Sequence, residues 1–287
     1  MVANWEIAGE RRVTGAVRGV MVHPVRERAS GTGVVVMAGS SGRVDVERAR
    51  LFAHHGAVSL AVGYFGGPGE PPGLCEVPLE LFTAAVTGVV SCVSGAVGMV
   101  GVSKGAEAAL VTACLDSRVD MVTAFAPSSM VWANLGAGRD GRSSPQRSSW
   151  TWRDTPLPFV PILTDRAPTV GGLPAYRSVY EASLAAFPQA AKRAAIAVEE
   201  VDAALLLVAG GEDAVWPSAR FADELERRGS HRVTKLMHTD AGHRIPLPGE
   251  PLPAGGQAMA RGGNPTADAE LGEVAWQHIV TSLQLTP

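Results

Sequence analysis

Val97-Gly98-Met99-Val100-Gly101-Val102-Ser103-Lys104-Gly105-Ala106-Glu107-Ala108-Ala109-Leu110 decides the fold. Its first six residues are apolar and valine-rich, as in a short strand buried on both faces. Lys104 to Cys114 is alanine-rich and helix-forming. Between the two, Gly101-Val102-Ser103-Lys104-Gly105 matches G-x-S-x-G, with small residues where the chain must turn sharply from strand to helix. That context predicts a serine in a strained backbone conformation, its hydroxyl exposed at a helix N-terminus. Ser103 therefore reads as a nucleophile, and the bland alternative is an ordinary tight turn.

Working outward, apolar β-branched runs alternate with helix-like stretches, the order expected of a mainly parallel sheet covered by helices, an α/β fold. Val17 to Val22 predicts an early edge strand or hairpin. Val34 to Ala38, Ala57 to Gly63, Val97 to Val102, Val119 to Ala126 and Ala203 to Ala209 predict the central strands, with Arg232 to Met237 as the last. Helical spacing marks Val44 to His55 and a closing helix from Ala267 to Leu283, and His54 and His55 read as a helix C-terminus. From Pro127 to Pro188 the pattern is lost to Pro, Gly, Ser, Trp and Arg. This predicts an irregular, tryptophan-rich, lid-like insertion (about 127–188) within one domain spanning 1–287. Gly249 to Pro265 is a second irregular stretch.

The chain has 287 residues, 46% hydrophobic and 18% charged, enough for a large core and too apolar for disorder. A formal net charge of −3 gives no electrostatic case for nucleic acid. Leu81 to Ser103 has no charge and approaches the length of a membrane span, but its Gly, Ser and Thr divide it into a helix and a strand, so no membrane insertion is expected. Cys75, Cys92 and Cys114 form no CxxC pair, so neither a disulfide framework nor a metal site is indicated. Glu6, Glu10, Arg11 and Arg12 precede any long apolar run, unlike a secretory signal, and a cytoplasmic protein is expected.

A serine hydroxyl needs a base to take its proton and a carboxylate to orient that base. Asp213, in Gly210-Gly211-Glu212-Asp213, follows the strand Ala203 to Ala209 and is the expected acid. Its alternatives are an N-cap role for the helix near Pro217, and Glu212 as the acid. His243, in the loop after the last strand, is the expected base. His238 ends that strand, His231 precedes it, His278 lies in the closing helix, and Asp240 shapes the loop or competes as orienter. The oxyanion formed on attack needs preorganised donors. The backbone of Lys104 supplies one, and Gly39-Ser40-Ser41-Gly42 the other, through Ser40 or Ser41. That Gly/Ser turn lacks the P-loop and dinucleotide glycine patterns, which leaves a phosphate-cradling role the weaker alternative.

The chain resembles the catalytic domain of the acyl-CoA thioesterase and bile-acid-CoA:amino-acid N-acyltransferase family, within the α/β hydrolases, in a single-domain bacterial form. The resemblance runs from about Val34 to the closing helix. It is carried by Gly101-Val102-Ser103-Lys104-Gly105-Ala106-Glu107, Val62-Gly63-Tyr64-Phe65-Gly66, Val77-Pro78-Leu79-Glu80 and Ser148-Ser149-Trp150-Thr151-Trp152. Gly211-Glu212-Asp213-Ala214-Val215-Trp216-Pro217, Ala241-Gly242-His243 and Gly262-Gly263-Asn264-Pro265 carry it further. It implies Ser103, Asp213 and His243 as the triad, and an acyl-CoA or acyl-carrier-protein thioester as substrate. Coenzyme A is then part of substrate or product, with no cofactor. About 30 residues precede the first core strand, too few for the β-sandwich of the animal members. The amino-acid-conjugating members carry cysteine as nucleophile, so serine favours hydrolysis over transfer; acyl transfer and ester hydrolysis are the competing activities. Tyr64, Phe65, Trp132, Trp150 and Trp152 are expected to line an acyl pocket or, alternatively, to be core. Oligomeric state is left open.

Overall fold

Valine-rich strands with no polar face need helices on both sides of the sheet, and the computed structural model, which describes residues 5–26, 31–163, 167–251 and 257–286, supplies them. Eight strands form the main sheet: β1 (Gly9–Val13), β2 (Arg18–His23), β3 (Gly33–Met37), β4 (Val58–Gly63), β5 (Val97–Val102), β6 (Met121–Phe125), β7 (Ala204–Gly210) and β8 (Val233–His238). Their spatial order is β1-β2-β4-β3-β5-β6-β7-β8. The β1–β2 and β2–β4 pairs are antiparallel and the rest parallel. The expected early strand is thus the second arm of a hairpin whose first arm, Gly9–Val13, carries the charged Glu10-Arg11-Arg12 that masked it as a strand.

Side chains alternate faces along each strand. Val35 and Met37 of β3 join one core with α2 (Glu80–Val90), α3 (Lys104–Ala113) and α6 (Ser218–Gly229). Val34 and Val36 join the other with α1 (Val46–His54) and α7 (Pro265–Ser282). The uncharged stretch 81–103 divides into α2 and β5 as expected, and among the described residues no helix is long and apolar enough to cross a membrane.

The chain leaves β3 for β4 on one side, then returns past β3 to β5 on the other. Such a reversal opens a crevice at the carboxyl ends of the parallel strands. The loop Gly39–Gly42 follows β3 and Ser103 follows β5, so both sit at this reversal. Asp213 follows β7 and His243 follows β8 at the same edge.

The segment 127–188 is more ordered than its composition suggests. It contains α4 (Arg177–Ala186) and the strand Trp150–Trp152, which pairs with Val77–Pro78 and Thr155–Pro156; α5 (Pro188–Arg193) follows. A third apolar cluster binds it to α6 through Met130, Trp132, Val160, Tyr180, Leu184, Trp216 and Phe221. Trp132 and Trp150 are fully buried, so these tryptophans are core rather than a movable cover. Residues 164–166 of this segment lie outside the described residues.

Candidate active site

Ser103 has φ 56° and ψ −119°, the strained conformation expected of a nucleophile at a strand-to-helix turn. Two contacts show why its neighbours are glycine. A Cβ at Gly101 would sit 2.3 Å from the Gly105 carbonyl oxygen, and one at Gly105 would sit 2.3 Å from the Ala38 carbonyl oxygen. The turn is held from behind by the Ser103 N–H, which donates to the Phe125 carbonyl at 2.8 Å.

His243 Nδ1 lies 2.8 Å from Asp213 Oδ2. Asp213 is fully buried, and its Oδ1 accepts from the N–H groups of Val215 at 2.9 Å and Trp216 at 3.2 Å. Both carboxylate oxygens are therefore committed, one to the imidazole and one to the backbone. The edge-to-face ring of Trp216, 6.0 Å away, packs against His243. One peptide oxygen joins the two loops: the Arg261 carbonyl accepts from His243 N–H at 2.9 Å and from Ala214 N–H at 3.2 Å. Gly262 makes the clasp possible, since a Cβ there would lie 1.7 Å from the Glu212 carbonyl oxygen. Asp240 engages the neighbouring loop through its carbonyl, which accepts from Asn264 N–H at 3.1 Å. His238 approaches Glu270 at 3.4 Å instead of the buried site.

Ser103 and His243 line one pocket, whose wall includes Gly39, Ser40 and Ser41. Gly39 is a close neighbour of Ser103, because a Cβ on it would stand 3.3 Å from Ser103 Cβ. The Tyr64 hydroxyl fixes this loop by donating to the carbonyls of Ala38 at 2.5 Å and Gly39 at 2.9 Å. Burial pushes the Tyr64 phenol far above its ordinary range, so it stays a donor. Tyr64→Phe is expected to cost about 1 kcal/mol of stability and roughly tenfold in turnover as the loop slackens. Denaturant titration and steady-state rates check both; unchanged rates would remove Tyr64 from this role.

The five aromatics expected around an acyl pocket are placed elsewhere, and none of them is among the described residues of this wall. Tyr64 packs between Phe82 and Phe65, Trp132 packs on Tyr180, and Trp152 faces the Arg153 guanidinium. Trp150 points its Nε1–H at Glu107 Oε1, 2.7 Å away. The same oxygen accepts from Lys104 Nζ at 2.6 Å and from Trp132 N–H at 3.2 Å. Burial pushes the Glu107 carboxyl up and the Lys104 ammonium down, each opposed by the other's charge. This pair anchors Lys104, the residue that directly follows Ser103.

Sequence reasoning missed the arginines of the pocket. Arg43, Arg48, Arg244 and Arg261 all reach its wall, and Glu250, also on the wall, accepts from Arg48 Nε and Nη2 at 2.7 Å each. The only local signal was Arg244 directly following His243. No group of three or more metal-binding side chains occurs among the described residues.

Sheet order, turn and pocket together define the class: this is an α/β hydrolase. The fold is shared by the dienelactone hydrolase-like promiscuous phosphotriesterase P91 from metagenomic libraries, with a TM-score of 0.54 over 97% of this chain and 98% of that one, at 15% identity. The chain belongs to the BAAT / acyl-CoA thioester hydrolase C-terminal family, whose model matches residues 77–285. It is 30% identical to mouse (Mus musculus) acyl-coenzyme A thioesterase 6, over 96% of this chain and 65% of that protein. It is 26% identical to mouse acyl-coenzyme A amino acid N-acyltransferase 1, over 92% of this chain and 62% of that protein. The chain thus spans a little under two thirds of the length of these curated relatives.

Proposed function

We propose that the protein hydrolyses acyl thioesters, of coenzyme A or of an acyl carrier protein, through an acyl-serine intermediate. The observation that carries this reading is the buried His243–Asp213 pair in the pocket of a strained Ser103, in a chain of the acyl-CoA thioester hydrolase family. Ser103 Oγ attacks the thioester carbonyl and gives its proton to His243 Nε2, while Asp213 holds the Nδ1–H. The oxyanion is met by the backbone N–H of Lys104 and by one from the loop at Ser40 and Ser41. Collapse breaks the C–S bond and His243 returns its proton to the departing thiolate. Water, deprotonated by the same imidazole, then attacks the acyl-serine; the bond from the acyl carbon to Ser103 Oγ breaks, His243 returns the proton to Oγ, and the carboxylic acid is released. No resident cofactor enters these steps; coenzyme A leaves as product. The cytoplasm, where thiols stay reduced, is the setting that suits Cys75, Cys92 and Cys114, all of them free.

The test is free-thiol release from acyl-CoAs of graded chain length, with mass spectrometry of the peptide containing Ser103 after rapid acid quench. Thiol release with an acyl mass on that peptide is expected, and both vanish in Ser103→Ala. Amide formation on adding glycine would identify transfer instead. Thiol release that persists in Ser103→Ala would overturn the reading.

A further inference from the structure

The pocket of Ser103 and His243 is small, about 80 Å³, and cationic. Among the described residues its wall includes four arginines, Arg43, Arg48, Arg244 and Arg261, against one acidic residue, Glu250, which is committed to Arg48; Arg43 also pairs with Asp45, outside the wall, at 3.2 Å. Arg43, Arg244 and Arg261 come from three separate segments, after β3, after β8 and before α7, and all are half-buried. Burial, then the charges of Arg261 and Arg43, depress Arg244; burial, then Arg43, depresses Arg261. Gathering like charges in a half-buried pocket costs free energy that an arriving anion recovers. The adjoining cavity, about 450 Å³, shares Arg244 and Arg261 but adds Asp268 and Glu273, so its charge is mixed and it has no comparable claim on an anion.

Geometry decides which part of a thioester carries that anion. The carbonyl must lie on Ser103, and the arginines line the same small volume. The anion therefore sits only a few bonds from the carbonyl. The phosphates of coenzyme A are separated from the sulfur by the whole pantetheine arm, whereas a short acyl group ending in a carboxylate has its charge at the right distance. Planar guanidiniums also match a carboxylate in geometry.

We propose that Arg43, Arg244 and Arg261 form an anion subsite that selects short acyl groups ending in a carboxylate. This deepens the thioesterase reading and rests on it. The experiment compares kcat/KM for succinyl and butyryl thioesters, each on coenzyme A and on N-acetylcysteamine, which has no phosphate. Wild type is expected to prefer succinyl on both carriers, and Arg244→Gln and Arg261→Gln each to cut that preference roughly tenfold or more. A preference for butyryl, a succinyl preference that survives both substitutions, or an arginine effect confined to coenzyme A esters would overturn it. A second measurement needs no thioester turnover. Glutarate should slow fluorophosphonate labelling of Ser103 in wild type and lose that protection in the arginine variants. Labelling that glutarate never slows would remove the subsite while leaving the hydrolase reading standing; thiol release that ignores Ser103 would do the reverse.

Discussion

Asp213→Asn is expected to lower turnover by about four orders of magnitude while the chain still folds. The reason lies in which atoms are already committed. Asp213 Oδ1 accepts two backbone N–H groups, from Val215 and Trp216, and Oδ2 faces His243 Nδ1 at 2.8 Å. An asparagine keeps its oxygen on the two donors, because an NH2 group there would meet two N–H groups head on. Its NH2 is then turned toward His243, whose Nδ1 must become an acceptor. The imidazole proton moves to Nε2, the atom proposed to receive the proton of Ser103, and the proposed base is lost without loss of packing. Steady-state thiol release, paired with near-ultraviolet circular dichroism, checks this. A rate within tenfold of wild type would shift the orienting role to Glu212 or Asp240.

Glu107→Ala should be the most destabilising change of a charged residue, costing about 3–5 kcal/mol. Glu107 is fully buried and its Oε1 takes three donors: Lys104 Nζ, Trp150 Nε1 and Trp132 N–H. Removing it strands an ammonium that is 1% exposed, together with two N–H donors. Glu107→Gln keeps an acceptor for the tryptophans and should lose less, whereas Lys104→Met with Glu107→Leu removes both charges and should recover part of the loss. Urea unfolding of the four proteins measures this. A Glu107→Ala penalty under about 1 kcal/mol would mean that the pair is not held as described. Turnover should fall with stability, because the N–H proposed to face the oxyanion is that of Lys104 itself.

The elbow was legible because its constraint is local. Gly101 and Gly105 face backbone carbonyls so closely that no other residue fits, and that requirement leaves a five-residue signature. The central strands were legible for a similar reason, since burial on both faces leaves continuous valine runs. Asp213 and His243 could be placed after strands, and the structure brings those two together at 2.8 Å rather than Glu212 or His238. The first hairpin arm escaped because an edge strand exposed on both faces can carry Glu10-Arg11-Arg12. The helix Arg177–Ala186 was hidden by the proline and glycine around it. Sequence left the tryptophans open between pocket wall and core, because burial in a core and burial against a ligand demand the same side chain; none of the three lies among the described residues of this wall. The pocket arginines converge only in three dimensions, from segments about 200 residues apart in sequence, and no spacing rule records that.

The clasp at Arg261 gives one residue two chemically separable duties. Its guanidinium reaches the pocket wall, while its carbonyl sets the spacing of the loops that carry Asp213 and His243. Substituting Arg261 alters the first duty alone, since every amino acid brings a carbonyl. A scan of side chains would therefore record a tolerant position with a selectivity effect and miss the clasp entirely. A substitution at Gly262, a change in chain length beside it, or an ester in place of a donating amide would expose it. The spacing of Asp213 and His243 is thus written into the backbone, beyond the reach of side-chain substitution at position 261.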